Sequence, residues 1–545
     1  MSALLIISLF SGIMAYLPLA GEGAPDTWTI MAYMNADNDL EPYGIEDFLE
    51  MSAAGSSPEV NIVVQFDRIV GHDWTFGAWN TCKRFLVTQG MTPTAANASS
   101  DIGEVNMADP ATLTDFIDWA VGTYDTNHYV LVIWDHGSNW QGVSWDYSTP
   151  GYDYMDMGEL DTALAGAVAL NPGLMLDVIA FDACSLGSLE VAYQVMPYAR
   201  YMIASEIDVP NPGLEYTGPL SALVADPDMG VTEFSDEILA HYSEYYLSLA
   251  GTPRWNMLNG SFTLSLVDLQ LVGSLAASVD ELSTVLVSDM DYWVNHVKAA
   301  RNATEHYGGV LENDSMDLHH FAENLAGIVP NATIDAMAGE IMAGVEAAVL
   351  NETHGTNPSN TLVPVNHTNG LTTHFQPPSD AFNPAYLSSS LAFVGATSWD
   401  EFLAEYDVDW RIGYPTVMNF GPVGTDVPVD TLIELWFSEP VDPLSLVGSV
   451  DIQPTPTPLP GDITVSGAYY SYARGFDPGT TYTITVTTNV TDTDGSHVRR
   501  NFTWQFTTAA EPIPEFPGAL LPVFALLAVV LGAAWRRGSG KAFRK

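Results

Sequence analysis

The chain has 545 residues, 47% of them hydrophobic, so it can build two or three folded units with real cores and is not a disordered protein. Its 16 Lys and Arg residues stand against 67 Asp and Glu residues, which gives a formal net charge of −51. A surface this acidic repels nucleic acid and anionic lipid, so we expect no nucleic-acid partner. The simplest explanation of the charge is adaptation to a saline or otherwise unusual environment.

The N-terminal residues 1–20 form an apolar stretch that ends in small residues ahead of a polar segment. This pattern predicts a secretory signal peptide or a signal anchor within residues 1–24. No Lys or Arg precedes the apolar run, a departure that also fits a misplaced start codon. We therefore expect a secreted protein.

Residues 25–250 are predicted to form an α/β domain, because short apolar runs alternate with segments of helical periodicity. The runs are brief and rich in branched and aromatic residues, which predicts buried strands at 28–34, 61–66, 129–134, 176–181 and 199–204. Amphipathic helices are predicted at 40–53, 111–121, 157–170 and 186–196. This alternation predicts a mostly parallel sheet covered by helices on both faces, with reactive groups at the carboxyl ends of its strands.

Two further segments differ in texture from this domain. Residues 251–410 have helical periodicity around 269–286 and 333–350, and we interpret them as a helical companion subdomain packed on the sheet. Residues 411–510 alternate in short runs between Pro and Gly turns, which predicts a β-sandwich. Phrases such as PVGTDVPVDTLIELWFSEPVDP and FTWQFTT resemble bacterial Ig-like modules, which space or display the catalytic domains of surface proteins.

The C-terminal segment, residues 511–545, is predicted to anchor the protein. Residues 518–535 carry no charge and are followed at once by Arg536 and Arg537, which predicts a membrane-spanning helix with a basic cytoplasmic tail. With PEF at residues 514–516, this tail resembles the archaeal PEF type of sorting signal. The resemblance implies an archaeal cell-surface protein, held either by this helix or by another anchor that replaces it; a buried core helix is the alternative.

Two short motifs with reactive side chains directly follow two predicted strands. They are WDHGSNW at residues 134–140 and FDACSLGS at residues 181–188. Because the carboxyl ends of parallel strands meet at one edge of a sheet, we expect His136 and Cys184 to lie close together. The only other cysteine is Cys82, predicted to be buried in a strand or hairpin, so no disulfide framework holds the chain together.

A free thiol has a pKa of about 8.5, so a reactive cysteine needs groups that favour its thiolate. We expect a helix that begins near Ser185 to supply partial positive charge, and His136 to take the proton. The N–H groups of Gly137 and Cys184 are predicted to form an oxyanion hole. Each motif alone is equally consistent with a buried structural Cys184, but the two motifs on successive strands favour catalysis.

The two motifs resemble those of the caspase-like cysteine peptidases, in which His-Gly and Asp-Ala-Cys follow hydrophobic runs. Over about residues 27–408 the resemblance narrows to the clostripain family, whose pattern is followed in order by WTIMAYMNADNDLE, NIVVQFDR, YVLVIWDHGSNW, FDACSLGSLEVAYQV, YMIASEIDVPNPGLEY, FTLSLVDL, MDLHHFAENL, GLTTHFQPP and TSWDEFLAEY. The resemblance implies a caspase-like α/β/α sandwich and an endopeptidase acting on proteins or peptides. It assigns His136 as the general base and Cys184 as the nucleophile that forms an acyl-enzyme.

The same resemblance implies cleavage after Arg or Lys, with acidic residues in the specificity pocket. Asp182 matches the acid two positions before the cysteine, and Glu215 stands where the family often has Asp in a Trp-Asp-Tyr phrase. Glu206 and Asp208 compete with Glu215 for that role. A carboxylate that faces a guanidinium in a partly desolvated pocket makes a strong, geometry-sensitive contact.

Two expectations concern activation and metal. Several relatives resemble zymogens that cut themselves after a basic residue between the histidine and the cysteine. No Lys or Arg occurs here from Phe85 to Ala199. We therefore predict a single-chain enzyme or activation by cleavage at another place. Clostripain is associated with calcium, and the acidic run at residues 35–41 invites the same idea. That run lacks the glycine and spacing of a twelve-residue calcium loop, and a cap of the first helix by Asp37 or Asp39 explains it equally well, so we assign no metal.

Two rival hypotheses keep the fold. In one, the chain is a catalytically silent surface adhesin that binds partners. In the other, the thiol mechanism holds but the preferred residue is not basic, since the pocket acids rest on the resemblance.

Overall fold

The computed structural model describes residues 26–249, 252, 261–307, 315–356, 364–376, 382–387, 389–412, 414–456, 463–473, 475–493 and 495–510. The predicted signal segment and the predicted C-terminal anchor with its PEF motif lie outside the described residues. The chain divides into two compact units, residues 1–411 and residues 412–545.

The first unit is built around one large sheet. Its strands in chain order are β1 (Trp28–Ala36), β2 (Val60–Arg68), β3 (Cys82–Leu86), β4 (Ser100–Gly103), β5 (His128–Trp134), β6 (Val143–Asp146), β7 (Asp153–Met155), β8 (Leu176–Asp182), β9 (Ala199–Ala204), β10 (Ser261–Asp268), β11 (His306–Tyr307), β12 (Ser315–Asp317), β13 (Val349–Thr356) and β14 (Thr372–His374). Nine of them form the sheet in the order β13-β10-β9-β8-β5-β1-β2-β3-β4. The strands from β9 to β2 run parallel, and the outer strands pair antiparallel.

Helices cover both faces of this sheet, as the sequence predicts. They are α1 (Glu41–Ala54), α2 (Pro110–Thr123), α3 (Met157–Leu170), α4 (Leu189–Val195), α5 (Thr217–Ala225), α6 (Val231–Ser248), α7 (Leu269–Ser288), α8 (Met290–Ala303), α9 (Leu318–Ile328), α10 (Ala332–Ala348), α11 (Ala392–Ala396) and α12 (Trp399–Ile412). All nine residues of β1 are buried, which is typical of a parallel strand covered on both sides. Its alternate residues Trp28 and Ile30 join a core with α1, α5 and α6, whereas Tyr33 packs against Phe116 of α2.

Local sequence signals explain where several helices begin. Asp109 caps α2 through the N–H of Ala111, and the proline that follows needs no donor at that position. Asp156 caps α3 and forms a reciprocal capping box with Glu159. These caps fix the ends of α2 and α3 on the face of the sheet opposite α1.

The segment predicted as a helical companion subdomain is more closely joined to the sheet than its periodicity suggests. It carries α7 to α12, but it also adds β10 and β13 to the nine-stranded sheet. β10 pairs antiparallel with β9, and every residue from Ser261 to Val267 is buried. Among the described helices, α7 alone is long and apolar enough to cross a membrane, yet Val272, Leu275 and Val279 on it are buried within the unit, as in a core helix.

The second unit is the predicted β-sandwich. Its elements are β15 (Val417–Gly421), β16 (Gly424–Val427), β17 (Leu432–Phe437), α13 (Pro443–Leu446), β18 (Val450–Gln453), β19 (Ile463–Ser466), β20 (Tyr469–Ala473), β21 (Thr481–Val486) and β22 (Phe502–Thr508). Two four-stranded sheets form, in the orders β15-β17-β20-β19 and β16-β22-β21-β18. Alternate residues such as Ile433, Leu435, Tyr482 and Ile484 are buried, which is the pattern of a sandwich with one face of each sheet inside.

Candidate active site

Three strand ends meet at one edge of the large sheet. β8, β5 and β1 are neighbours, and the register pairs Asp182 at the end of β8 with Trp134 at the end of β5. Cys184 follows β8, His136 follows β5 and Asp39 follows β1. His136, Cys184 and Asp182 line one small cavity of about 60 Å³. The fold therefore brings the residues of the two sequence motifs into one site.

The His136 ring is held by a carboxylate and two aromatic rings. Its Nε2 lies 3.1 Å from Oδ1 of Asp39, and the two side chains are 28% and 57% exposed. The ring of Tyr147 stacks on His136 at 6.4 Å with an interplanar angle of 12°, and Trp145 meets it edge-on at 6.4 Å. Burial raises the pKa of Asp39, but the hydrogen bond with His136 and its charge outweigh this and hold it below its usual value. Asp39 is thus an ionised partner that leaves Nδ1 of His136 for another group.

Asp39 belongs to the acidic run at residues 35–41, which the sequence suggested as either a calcium site or a helix cap. The N-cap of α1 is Leu40 without a side-chain hydrogen bond, so neither Asp37 nor Asp39 caps that helix. Asp37 instead accepts hydrogen bonds from the hydroxyl and the N–H of Ser148. Among the described residues, no group of three or more His, Cys, Asp and Glu side chains is placed to hold a metal ion.

A buried carboxylate, Asp135, fixes the backbone around His136. It accepts hydrogen bonds from the N–H of His136 at 2.6 Å, from the side-chain amide of Asn38 at 2.6 Å and from the N–H of Trp145. These contacts join the ends of β5 and β1 to the β6–β7 hairpin. Such a network fixes the imidazole in place without touching the ring.

Cys184 lies in a loop that its backbone pins to the segment after β9. Ser185 adopts φ +62° and donates its N–H to Ile207 O at 3.0 Å, and Gly187 donates to Ser205 O at 2.7 Å. The helix expected to begin near Ser185 begins at Leu189, with Ser188 as its cap. The left-handed conformation of Ser185 and the loop contacts keep residues 185–188 out of the helix. The expected helix-terminus charge beside Cys184 is therefore displaced by one turn.

The surroundings of Cys184 favour the thiol over the thiolate. Burial, followed by the negative charges of Asp208, Asp182 and Asp135, raises the pKa of the Cys184 thiol to about 12. The thiol also donates a hydrogen bond to Val209 O at 3.8 Å, which the thiolate cannot do. A backbone hydrogen bond of Val209 opposes the rise of the pKa only in part. A reaction at this sulfur therefore needs a base that removes the proton during the attack.

This raised pKa predicts how Cys184 reacts with a simple alkylating agent. Between pH 7 and pH 9 the thiolate is a small fraction that grows tenfold per pH unit, so the rate of alkylation by iodoacetamide should rise by about tenfold per unit. Intact mass against time gives the rate, and Cys184→Ala gives the background from buried Cys82. A rate that levels off between pH 6 and pH 8 would show instead a stable thiolate and contradict the prediction.

Gly137 lies against the backbone of the cysteine loop. A Cβ at this position would lie 2.4 Å from Cys184 O and 2.8 Å from Cys184 N, so no side chain fits there. The bridge between Gly137 and Val143 uses the hydrogen bonds from Ser144 N to His136 O and from Ser138 N to Gly142 O. Within the described part of the chain, the N–H groups of Gly137 and Cys184 donate to no protein acceptor. The expectation that these two N–H groups form an oxyanion hole stays a prediction, since Gly137 is buried and does not line the cavity of Cys184.

Asp182 is a buried member of the cavity that contains Cys184. Its Oδ2 accepts hydrogen bonds from Leu214 N at 3.0 Å and from the Tyr216 hydroxyl at 2.7 Å, and no described residue donates to Oδ1. Burial raises the pKa of Asp182 to about 6, even though both hydrogen bonds lower it. The carboxyl group is thus neutral in mild acid and ionised near pH 7.

The structure does not bring Glu215 into this cavity. Its carboxylate accepts from the N–H groups of Thr217 and Gly218, at 3.0 and 2.9 Å, and lies 3.7 Å from Nδ1 of His241. It therefore stabilises the first turn of α5, where backbone donors lack helical partners. The position of Glu215 in the chain suggested a pocket residue, but the hydrogen bonds from Thr217 and Gly218 hold its side chain at the start of α5.

The two competing acids also have other contacts. Glu206 is buried and accepts from Gly370 N at 3.1 Å, which ties the loop after β9 to the segment before β14. Asp208 is exposed and accepts from the hydroxyl of Ser185 at 3.1 Å, next to Cys184. Of the acids considered from sequence, Asp182 alone lines the cavity with Cys184.

Comparison with known proteins agrees with this architecture. The model of the clostripain family matches residues 32–410, and that of the bacterial Ig-like domain matches residues 413–508. Clostripain from Hathewaya histolytica is 30% identical over 218 residues, which is 34% of this chain and 40% of clostripain, so less than half of that relative is matched.

Two crystal structures share the fold of the first unit. A secreted C11 cysteine protease from Bacteroides thetaiotaomicron, in complex with an irreversible peptide inhibitor, has a TM-score of 0.53 and 21% identity over 69% of this chain and 99% of its own. An inactive zymogen of a C11 protease from Parabacteroides distasonis has a TM-score of 0.51 and 19% identity over the same shares. The fold and the site define a caspase-like α/β protein of the cysteine peptidase class. The chain belongs to the clostripain family and carries a bacterial Ig-like domain after its peptidase region.

Proposed function

We propose that this chain is a cysteine endopeptidase that cleaves proteins or peptides after Arg or Lys, with Cys184 as nucleophile and His136 as general base. The observation that carries the proposal is the shared cavity of Cys184, His136 and Asp182 at adjacent strand ends of a clostripain-family fold. In α/β sheets, reactive groups collect at this edge.

In the proposed reaction, Cys184 Sγ attacks the scissile carbonyl carbon while Nδ1 of His136 takes the thiol proton. The N–H groups of Gly137 and Cys184 stabilise the oxyanion. The tetrahedral intermediate collapses to a thioester as the protonated His136 donates to the leaving amine. Water, deprotonated by His136, then hydrolyses the thioester, releases the new carboxyl end and restores the thiol.

Asp39, which the sequence suggested as a helix cap or as part of a calcium site, acts in this proposal as the positioning residue of His136. Its carboxylate fixes the ring through Nε2 and stabilises the imidazolium formed during attack. Asp39→Asn is expected to lower kcat about tenfold with little change in KM, since this charge-assisted contact is half exposed. Asp39→Glu, which keeps the charge, should recover part of the loss. Equal kcat values in the wild type and Asp39→Asn would remove Asp39 from the mechanism.

Asp182 is the proposed recognition group for the basic side chain before the scissile bond. Asp182→Asn should lower kcat/KM for an arginyl substrate by about 10- to 100-fold, and much less for a matched norleucyl substrate. In the wild type, the preference for Arg should weaken as the pH falls below about 6, because Asp182 is protonated there. Parallel pH profiles of the two substrates measure this. A preference for Arg that survives in Asp182→Asn would assign the role to another acid.

A cleavage profile on a peptide library tests the function as a whole. Cuts after Arg and Lys support the proposal, and cuts after other residues keep the mechanism but reject the specificity. If no peptide is cleaved and an arginyl acyloxymethyl ketone does not label Cys184, the result would support the rival hypothesis of a catalytically silent adhesin.

The proposed location is supported by the same comparison. The similar protease from Bacteroides thetaiotaomicron is a secreted enzyme, and we propose that this chain is likewise exported, with its peptidase unit outside the cell. Anchoring to the membrane through residues 518–535, the archaeal PEF assignment and the domain limits taken from sequence stay predictions. The absence of a cleavage between His136 and Cys184 also stays a prediction.

A further inference from the structure

A second and larger cavity lies close to the candidate active site. Its volume is about 430 Å³, enough for a complete aromatic side chain, and its apolar walls are Trp140, Trp145, Tyr154, Met157 and Leu391. It shares no lining residue with the cavity of Cys184 and Asp182. The second cavity is therefore a separate compartment, with its own chemistry.

Trp145 connects this cavity to the catalytic histidine. The indole meets the His136 ring edge-on at 6.4 Å, and it stacks on Tyr154 at 5.1 Å with an interplanar angle of 13°. The backbone N–H of Trp145 donates a hydrogen bond to the buried Asp135, which also accepts one from the backbone N–H of His136. One aromatic ring thus forms the border between His136 and the cavity.

The direction of the proposed reaction decides which part of a substrate reaches this border. The basic side chain before the scissile bond belongs with Asp182, in the cavity of Cys184. His136 donates its proton to the leaving amine, so the segment after the scissile bond must pass the His136 ring. The next surface beyond that ring is Trp145 and the cavity that it lines.

We propose that this cavity is a subsite for a large apolar or aromatic side chain of the substrate, within the first three residues after the scissile bond. The inference rests on the proposed function and deepens it. The lining favours such a side chain over a basic one, because the carboxylate of Asp156 already accepts a hydrogen bond from the N–H of Glu159 at the start of α3. Tyr154 is 42% exposed, so its ring is open to a partner, and aromatic side chains are common anchors of binding.

The β6–β7 hairpin that carries this wall is held in a preformed shape. Ser144 and Tyr152 adopt φ values of +64° and +58°, which non-glycine residues rarely do. Ser144 accepts a hydrogen bond from the Asn35 amide, and Tyr147 N donates to Asp37 O, so the hairpin is fixed to the end of β1. A rigid wall binds a side chain without the entropic cost of ordering a loop.

The test uses full-length protein and internally quenched peptides that are identical through a single Arg. One peptide set carries Phe at the first, second or third position after the Arg, and the matched set carries Ser. Wild type should cleave the Phe peptide at one of these positions with a kcat/KM about fivefold above its Ser partner. Tyr154→Ala removes one wall of the cavity, and Ser390→Trp fills the cavity from an exposed position. Each variant should bring this ratio close to one.

Trp74→Ala is the matched control, because Trp74 is 68% exposed and does not line either cavity. It should keep the wild-type ratio. An arginyl aminocoumarin amide, which has no residue after the scissile bond, separates the two claims. If wild type does not hydrolyse this amide, the proposed function fails; if it does so but the Phe to Ser ratio is one, or is unchanged in both cavity variants, the subsite is overturned.

Discussion

Replacing Cys184 by alanine is expected to lower kcat/KM for an arginyl amide by about 10⁴-fold or more, because the acyl-enzyme forms on this sulfur. His136→Ala should cause a loss of similar order. The raised pKa of Cys184 makes its reaction depend on a base that removes the proton during attack. Residues that act as one unit also lose activity non-additively, so the double variant should be little worse than either single variant.

Cys82→Ala is the natural control for this experiment. Cys82 is the other free thiol, and it is fully buried in β3, far along the sheet order from β8. Its replacement should leave kcat/KM nearly unchanged and lower the thermal unfolding midpoint, since it opens a small core cavity. An arginyl acyloxymethyl ketone should label wild type and Cys82→Ala but not Cys184→Ala. Full activity in Cys184→Ala would reject the assignment of the nucleophile.

Gly137→Ala is expected to lower kcat by about 10²- to 10³-fold, the usual effect of removing one oxyanion donor. The new Cβ would lie 2.4 Å from Cys184 O and 2.8 Å from Cys184 N, so one of the two loops must move and the two donor N–H groups must separate. The effect should fall mainly on kcat, because the stabilisation is realised in the transition state.

Gly122→Ala provides the matched change for that comparison. Gly122 lies in α2, and a Cβ built there meets no atom within 4 Å, so the variant should keep full activity. Unfolding midpoints of both variants show whether the loss at position 137 is local. A kcat for Gly137→Ala within about twofold of wild type would exclude Gly137 from the oxyanion site.

Local patterns in the sequence predicted much of the first unit. The strand runs at 28–34, 129–134 and 176–181 match β1, β5 and β8 to within two residues, because buried parallel strands are short, branched and apolar on both faces. The motifs that carry His136 and Cys184 could be assigned to one edge, since parallel strands end on the same side of a sheet. The clostripain family assignment rests on the same phrases and is confirmed by the family match.

The sequence by itself determined the alternation of strands and helices, the β-sandwich and the two strand-end motifs, because each depends on residues close together in the chain. Tertiary structure alone decided the rest. The order β8-β5-β1 brought Asp39 to Nε2 of His136, and backbone contacts to the segment after β9 moved the start of α4 to Leu189. Backbone donors at the start of α5 held Glu215 outside the cavity. These outcomes depend on which distant segments become neighbours, and periodicity along one chain does not contain that information.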